Sequence, residues 1–203
     1  MQYLRTSTVS VALTAIVAIA QAAPAANTDA PGFADHPLIQ RFTGSWLAGY
    51  RVAKREAATV PASAELDTLD RRRFKQLIEL EGKVTQLLYI SPPGKSPLEV
   101  WRNYEQALSA AGLNKRFVCE RDCRDLYYAW NRQFEPTKGF TWSEGVIEPE
   151  LYAPYSAPSI HDGRMLVGTL GKAGQEVTVL LYNSMAVNDR THQVATYIEI
   201  IEP

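Results

Sequence analysis

Apolar residues in this sequence do not run long enough to cross a membrane. The run at residues 9–20 (VSVALTAIVAIA) covers twelve positions and is interrupted by Ser10 and Thr14, whereas a spanning helix needs ~20. Cysteine and histidine are scarce, with two and three residues in 203. A zinc site would therefore have to recruit carboxylates, and no H-x3–5-H spacing is present to anchor one; no metal and no cofactor is expected. Basic residues are not in excess, since 21 Lys and Arg face 22 Asp and Glu for a formal charge of −1. That balance argues against a nucleic-acid partner, which demands a clustered positive surface. No serine lies in a G-x-S-x-G elbow, Gly168-x-x-Gly171-x-x-Gly174 is not followed by G-K-[ST], and no internal repeat is visible.

What is present begins with an address. Arg5 supplies a positive start, residues 9–20 an apolar centre, and Ala20-Gln21-Ala22 a small-residue A-x-A cleavage signature. Residues 1–22 thus read as a secretory signal peptide. Its removal takes away one charge, Arg5, and leaves a mature chain acidic by two, of a length that suits one domain with a core of its own. Residues 23–34 (APAANTDAPGFA) hold few apolar side chains and are expected to be a flexible leader. Residues 35–203 form the expected domain.

Within it, Trp46, Tyr50 and Val52 alternate as in a strand, a signal that fades as charge and alanine accumulate toward Val60. Pro61 begins an irregular connector. Arg71-Arg72-Arg73 lies among Asp67, Asp70 and Glu79, which reads as a solvated face. Val84, Leu87, Tyr89 and Ile90 mark a strand that must stop at Pro92-Pro93. Ser96, Pro97 and Glu99 form a helix N-terminus with a capping box, Leu98, Trp101, Tyr104, Leu108 and Ala111 give its apolar stripe, and Gly112 ends it. A strand over 115–120 follows. DLYYAWNRQF, from Asp125, suits a short helix. Three further strands fall over 165–170, 175–183 and 193–202, the first two joined through Gly171-Lys172-Ala173-Gly174 as a hairpin. The expected fold is α+β, mainly an antiparallel sheet with a strand-helix-strand unit whose helix packs on one face.

Cys119 and Cys123, spaced C-x3-C in CERDC, are expected to close as a disulfide. Outside the cytoplasm nearby thiols oxidise, and a turn between them brings their Cα atoms within the ~4.4–6.8 Å the bond allows. A redox role would call for two intervening residues and a helix N-terminus, and Glu120 and Asp122 oppose a thiolate. His36, His161 and His192 are scattered and read as loop histidines; His161-Asp162 has no partner serine in sequence. Trp130, Phe140, Trp142, Tyr152 and Tyr155 lie on poorly periodic chain, where aromatics either line a glycan or peptide groove or cap the core. Glu144 and Glu148 decide nothing without a separation.

The stretch Asp35-His36-Pro37-Leu38-Ile39-Gln40-Arg41-Phe42 with Gly44-Ser45, residues 80–113 (LEGKVTQLLYISPPGKSPLEVWRNYEQALSAAGL), FVCERDC, VTVLLYN and VATYIEIIE together resemble the domain-of-unknown-function family 4892 (DUF4892). The resemblance implies an exported envelope protein of Gram-negative bacteria. Members often carry an OmpA-like peptidoglycan-binding domain behind this one; its residues are not in this sequence, which reads as stand-alone, so peptidoglycan binding is not carried over. The family brings no catalytic residue. The expectation is a periplasmic, non-enzymatic binding or accessory domain with an envelope protein or cell-wall component as partner and no membrane span once the signal is cleaved. The alternative is a periplasmic enzyme, thiol-disulfide or hydrolytic.

Overall fold

The structure, a computed structural model, describes residues 28–143, 157–172, 174–186 and 193–203. In chain order these form β1 (Trp46–Pro61), β2 (Leu77–Ile90), α1 (Pro97–Ala110), β3 (Asn114–Cys119), α2 (Arg124–Phe134), β4 (Thr141–Trp142), β5 (Arg164–Lys172), β6 (Gln175–Met185) and β7 (Val194–Glu202). The strands make one sheet in the order β3-β5-β6-β7-β2-β1-β4, with every neighbouring pair antiparallel. The strand-helix-strand unit is there as β2, α1 and β3, but its two strands are not neighbours. Three strands lie between them, so α1 carries the chain across the sheet.

Both faces of the sheet are covered. Val179, Leu181, Ile198 and Ile200 pack with Trp101, Tyr104 and Leu108 of α1. Leu180, Tyr182, Tyr197 and Ile201, which alternate with them, pack with Ala129 and Trp130 of α2. The helix expected on one face is α1, and the second helix covers the other. Apolar residues at both parities of β6 and β7 need two covers, since successive side chains of a strand point to opposite faces.

Local chemistry sets the ends of α1. Ser96 is extended and its hydroxyl accepts the Glu99 N–H at 3.1 Å, with Pro97 opening the first turn. The Glu99 carboxylate takes Lys95 at 2.7 Å. Gly112, at φ +85°, lets the Leu113 N–H reach back to the Leu108 carbonyl at 3.0 Å, the left-handed stop that glycine makes without strain. The buried stripe is Val100, Trp101, Tyr104 and Leu108. Leu98 is 46% exposed and Ala111 is exposed, so Val100 replaces the two outer members of the expected stripe.

The fading strand signal after Val52 understates β1, which continues to Pro61 through its charged stretch. One extra residue enters β1 between Ala53 and Glu56, opposite Val84 and Gly82. This bulge reverses the parity of everything after it. Beyond the strands the hairpin folds back on α2, where Phe74 is buried against Phe134 and its N–H reaches Gln133 Oε1 at 3.0 Å. Packing at the other end starts before Asp35: Phe33 stacks on Tyr50 at 5.0 Å, and Asp29 binds Arg41 and the start of β1.

Candidate functional site

Cys119 ends β3 and Cys123 immediately precedes α2. Asp122 between them adopts left-handed backbone at φ 55°, which turns the chain and brings the two sulfurs together, S–S 2.01 Å with Cα atoms 5.9 Å apart. The bridge ties an edge strand to the helix that covers the second face. Beside it opens a cleft of about 390 Å³, bordered by Arg121, Asp122, Arg124, Asp162 and Arg164. The sequence suited a short helix from Asp125; α2 starts one residue earlier, at Arg124, and Cys123 is its N-cap, the position at which helix amides stabilise a thiolate. It is also buried, at 2% exposure.

The aromatic candidates separate. Trp130 is 1% exposed and packs against Tyr182 at 4.9 Å and Tyr197 at 5.0 Å, so it sits in the core. Phe140 and Trp142 lie 5.4 Å apart and Phe140 stacks on Tyr197. They fit there because Gly49 lies beneath, where an added Cβ would stand 2.4 Å from the Phe140 ring. Tyr152 and Tyr155 lie outside the described residues, as do Glu144, Glu148 and His192. His161 is exposed. His36 lies on a loop as read, but it is buried. Its Nδ1 accepts the Leu38 N–H at 3.3 Å and its Nε2 lies 3.1 Å from Glu202 Oε2.

Sequence reasoning missed a polar row beneath Phe140. Arg51, Gln86 and Glu199 are cross-strand partners on β1, β2 and β7. Gln86 accepts from Arg51 at 3.1 Å with Oε1, which leaves its amide nitrogen to donate toward Glu199. The Tyr197 hydroxyl donates to Glu199 at 3.1 Å. Burial nevertheless dominates and pushes the Glu199 carboxyl up to about 7, against the pull of Tyr197, Gln86 and Arg51. The bulge brings Glu56 onto the same face as Arg51, 2.5 Å from its guanidinium. One signal for Glu199 was available: it is a lone carboxylate among the apolar residues of VATYIEII. Arg164 carried no such signal, since the first residue of a strand is usually solvated.

Among the described residues, no three His, Cys, Asp or Glu gather as metal ligands, and no helix is long and apolar enough to cross a membrane. No protein-family model matches the chain, and no curated protein matches it in sequence. The likeness to DUF4892 rests on the residues quoted for it.

Proposed function

We propose that this chain is an exported protein of the bacterial envelope, cut after Ala22 and acting in the periplasm as a non-enzymatic binding or accessory domain of the DUF4892 kind. The observation that carries the reading is the Cys119–Cys123 bridge. The two cysteines of the chain are within bonding distance, the state favoured in an oxidising compartment and rare in a cytosol kept reduced. The signal-like residues 1–22 point to the same address, and the cleft beside the bridge supplies a concave surface for a partner group. Cell fractionation with N-terminal sequencing tests this reading. Processed protein beginning near Ala23 in the periplasmic fraction is expected; native protein beginning at Met1 in the cytosol would overturn it.

Thiol-disulfide exchange is the second reading, and Cys123 at the helix N-cap favours it. Against it stand the burial of that sulfur and the charge of Asp122 beside it, which opposes a thiolate. The reduction potential decides between the two. A value below about −300 mV marks a structural bridge, and a value near those of known exchange enzymes, roughly −120 to −270 mV, marks a working pair.

A further inference from the structure

The corner between β3 and α2 sets three arginines, Arg121, Arg124 and Arg164, around the start of α2. The first amide N–H groups of any helix lack intrahelical acceptors, and an N-cap Ser, Thr, Asp or Asn ordinarily takes one. Here the N-cap is Cys123, whose sulfur is committed to the bridge, and no side chain of the described residues caps the helix. At eleven residues α2 is long enough for its dipole to favour an anion at this end.

A second observation lies on the other wall of the cleft, on β5. Arg164 is 8% exposed. Its Nη1 donates to the Asp162 carbonyl at 2.9 Å and its Nη2 pairs with Asp162 Oδ1 at 2.9 Å, while its Nε–H has no acceptor among the described residues. A buried guanidinium N–H without an acceptor is costly, and an arriving oxygen relieves it. Arg121 and Arg124 stand exposed at the rim. Of the acidic lining residues, Glu120 is held by both Nη groups of Arg102 at 3.1 and 2.8 Å, and Asp162 by Arg164. Asp122 is left to oppose an anion.

We infer that this corner is an oxyanion site that takes a phosphate group. Arg121, Arg124 and Arg164 and the uncapped start of α2 converge on a cleft of about 390 Å³. A phosphate dianion offers each wall an acceptor and outweighs the single charge of Asp122. This names a ligand class for the binding role proposed above and rests on that role.

The test titrates the purified, oxidised protein with inorganic phosphate at constant ionic strength, read by NMR at the backbone amides and at the arginine Nε–H signals. Saturable shifts are expected at the Arg124, Asp125 and Leu126 amides and at Arg164 Nε–H. Arg124→Gln should weaken binding about tenfold, Asp122→Asn should strengthen it, and Lys54→Gln, far from the corner, should leave the curve unchanged. Arg124 and Asp122 are exposed, so these variants leave the core alone. A parallel arm uses phosphatidylcholine vesicles with and without phosphatidic acid. Arg124-dependent binding to the acidic vesicles without any response to inorganic phosphate assigns the phosphate to a lipid headgroup; a response to inorganic phosphate assigns it to a soluble ligand. The site is overturned if phosphate gives no saturable shift and vesicle binding does not need Arg124, or if Arg124→Gln leaves the phosphate response intact. Neither result alters the fractionation readout, so the two proposals fail separately.

Discussion

Arg41 grips Asp29 with both terminal nitrogens, Nη1 to Oδ1 at 2.9 Å and Nη2 to Oδ2 at 2.6 Å. The same carboxylate accepts the Leu47 N–H at 2.7 Å, and Arg41 Nε reaches Asp35 at 2.8 Å. Asp35 in turn accepts the Tyr89 hydroxyl at 2.7 Å. This clasp fixes the segment before β1 against the face that α1 covers. Burial raises the Asp29 carboxyl, but Arg41 and the Leu47 N–H pull it lower still, below its usual value of 3.8.

Asp29→Ala should therefore destabilise the fold by about 1–3 kcal/mol, as the loss of a charge-assisted hydrogen-bond pair does. A carboxyl held below its unfolded value contributes stability above about pH 4, and that contribution is lost as the pH falls through the folded value. The gap between variant and parent melting temperatures should hence close on acidification. A gap that stays the same from pH 6 down to pH 2 would show that the loss does not come from the ionised carboxylate.

Glu199 works in the opposite direction. Its folded value near 7 lies above the ordinary 4.5, so the native state holds a proton that the unfolded chain releases between those limits. Stability then falls as the pH rises through that window, by on the order of 3 kcal/mol. Glu199→Gln should match the parent near pH 4 and melt several degrees higher at pH 8. A difference that does not change with pH would mean the carboxylate is ionised throughout.

Trp101 is fully buried at the centre of the α1 stripe, and its indole N–H has no hydrogen-bond partner among the described residues. Trp101→Ala should cost ~3–5 kcal/mol through the cavity it leaves. Trp101→Phe keeps most of the volume and removes an unsatisfied donor, so it should cost clearly less. Denaturant midpoints for the two variants check this; equal losses would place the importance of the residue in the indole rather than in its bulk.

Removing the bridge by Cys119→Ser with Cys123→Ser should cost about 2 kcal/mol, because the loop it closes is short. The loss should be felt most at β3 and α2, which it joins. Hydrogen exchange resolves this: faster exchange in β3 and at the start of α2, with β6 and β7 unchanged, is expected. Uniform acceleration across the sheet would mean that the bridge guards global unfolding instead.

Much of the secondary structure was legible in sequence. The ends of α1 follow from Ser96, Pro97 and Gly112, whose chemistry acts over a few residues. The β5–β6 hairpin closes at Lys172 opposite Gln175, beside the glycines that marked it. Less legible was β1 beyond Val52, because a strand paired along one side can carry Lys54 and Arg55 toward solvent. The candidate site was half visible: Cys119 and Cys123 were evident, whereas Arg164 and Glu199 were ordinary charged residues until their surroundings were known.

By itself the sequence determined the cysteine spacing, the ends of α1 and the antiparallel class, all of which are written in neighbouring residues. Only the tertiary structure decided that the sheet is covered on both faces, that β2 and β3 lie three strands apart, and that Arg51, Gln86 and Glu199 share one row. Burial and partner choice arise when distant segments are packed together, and no local pattern encodes which segment will cover which face.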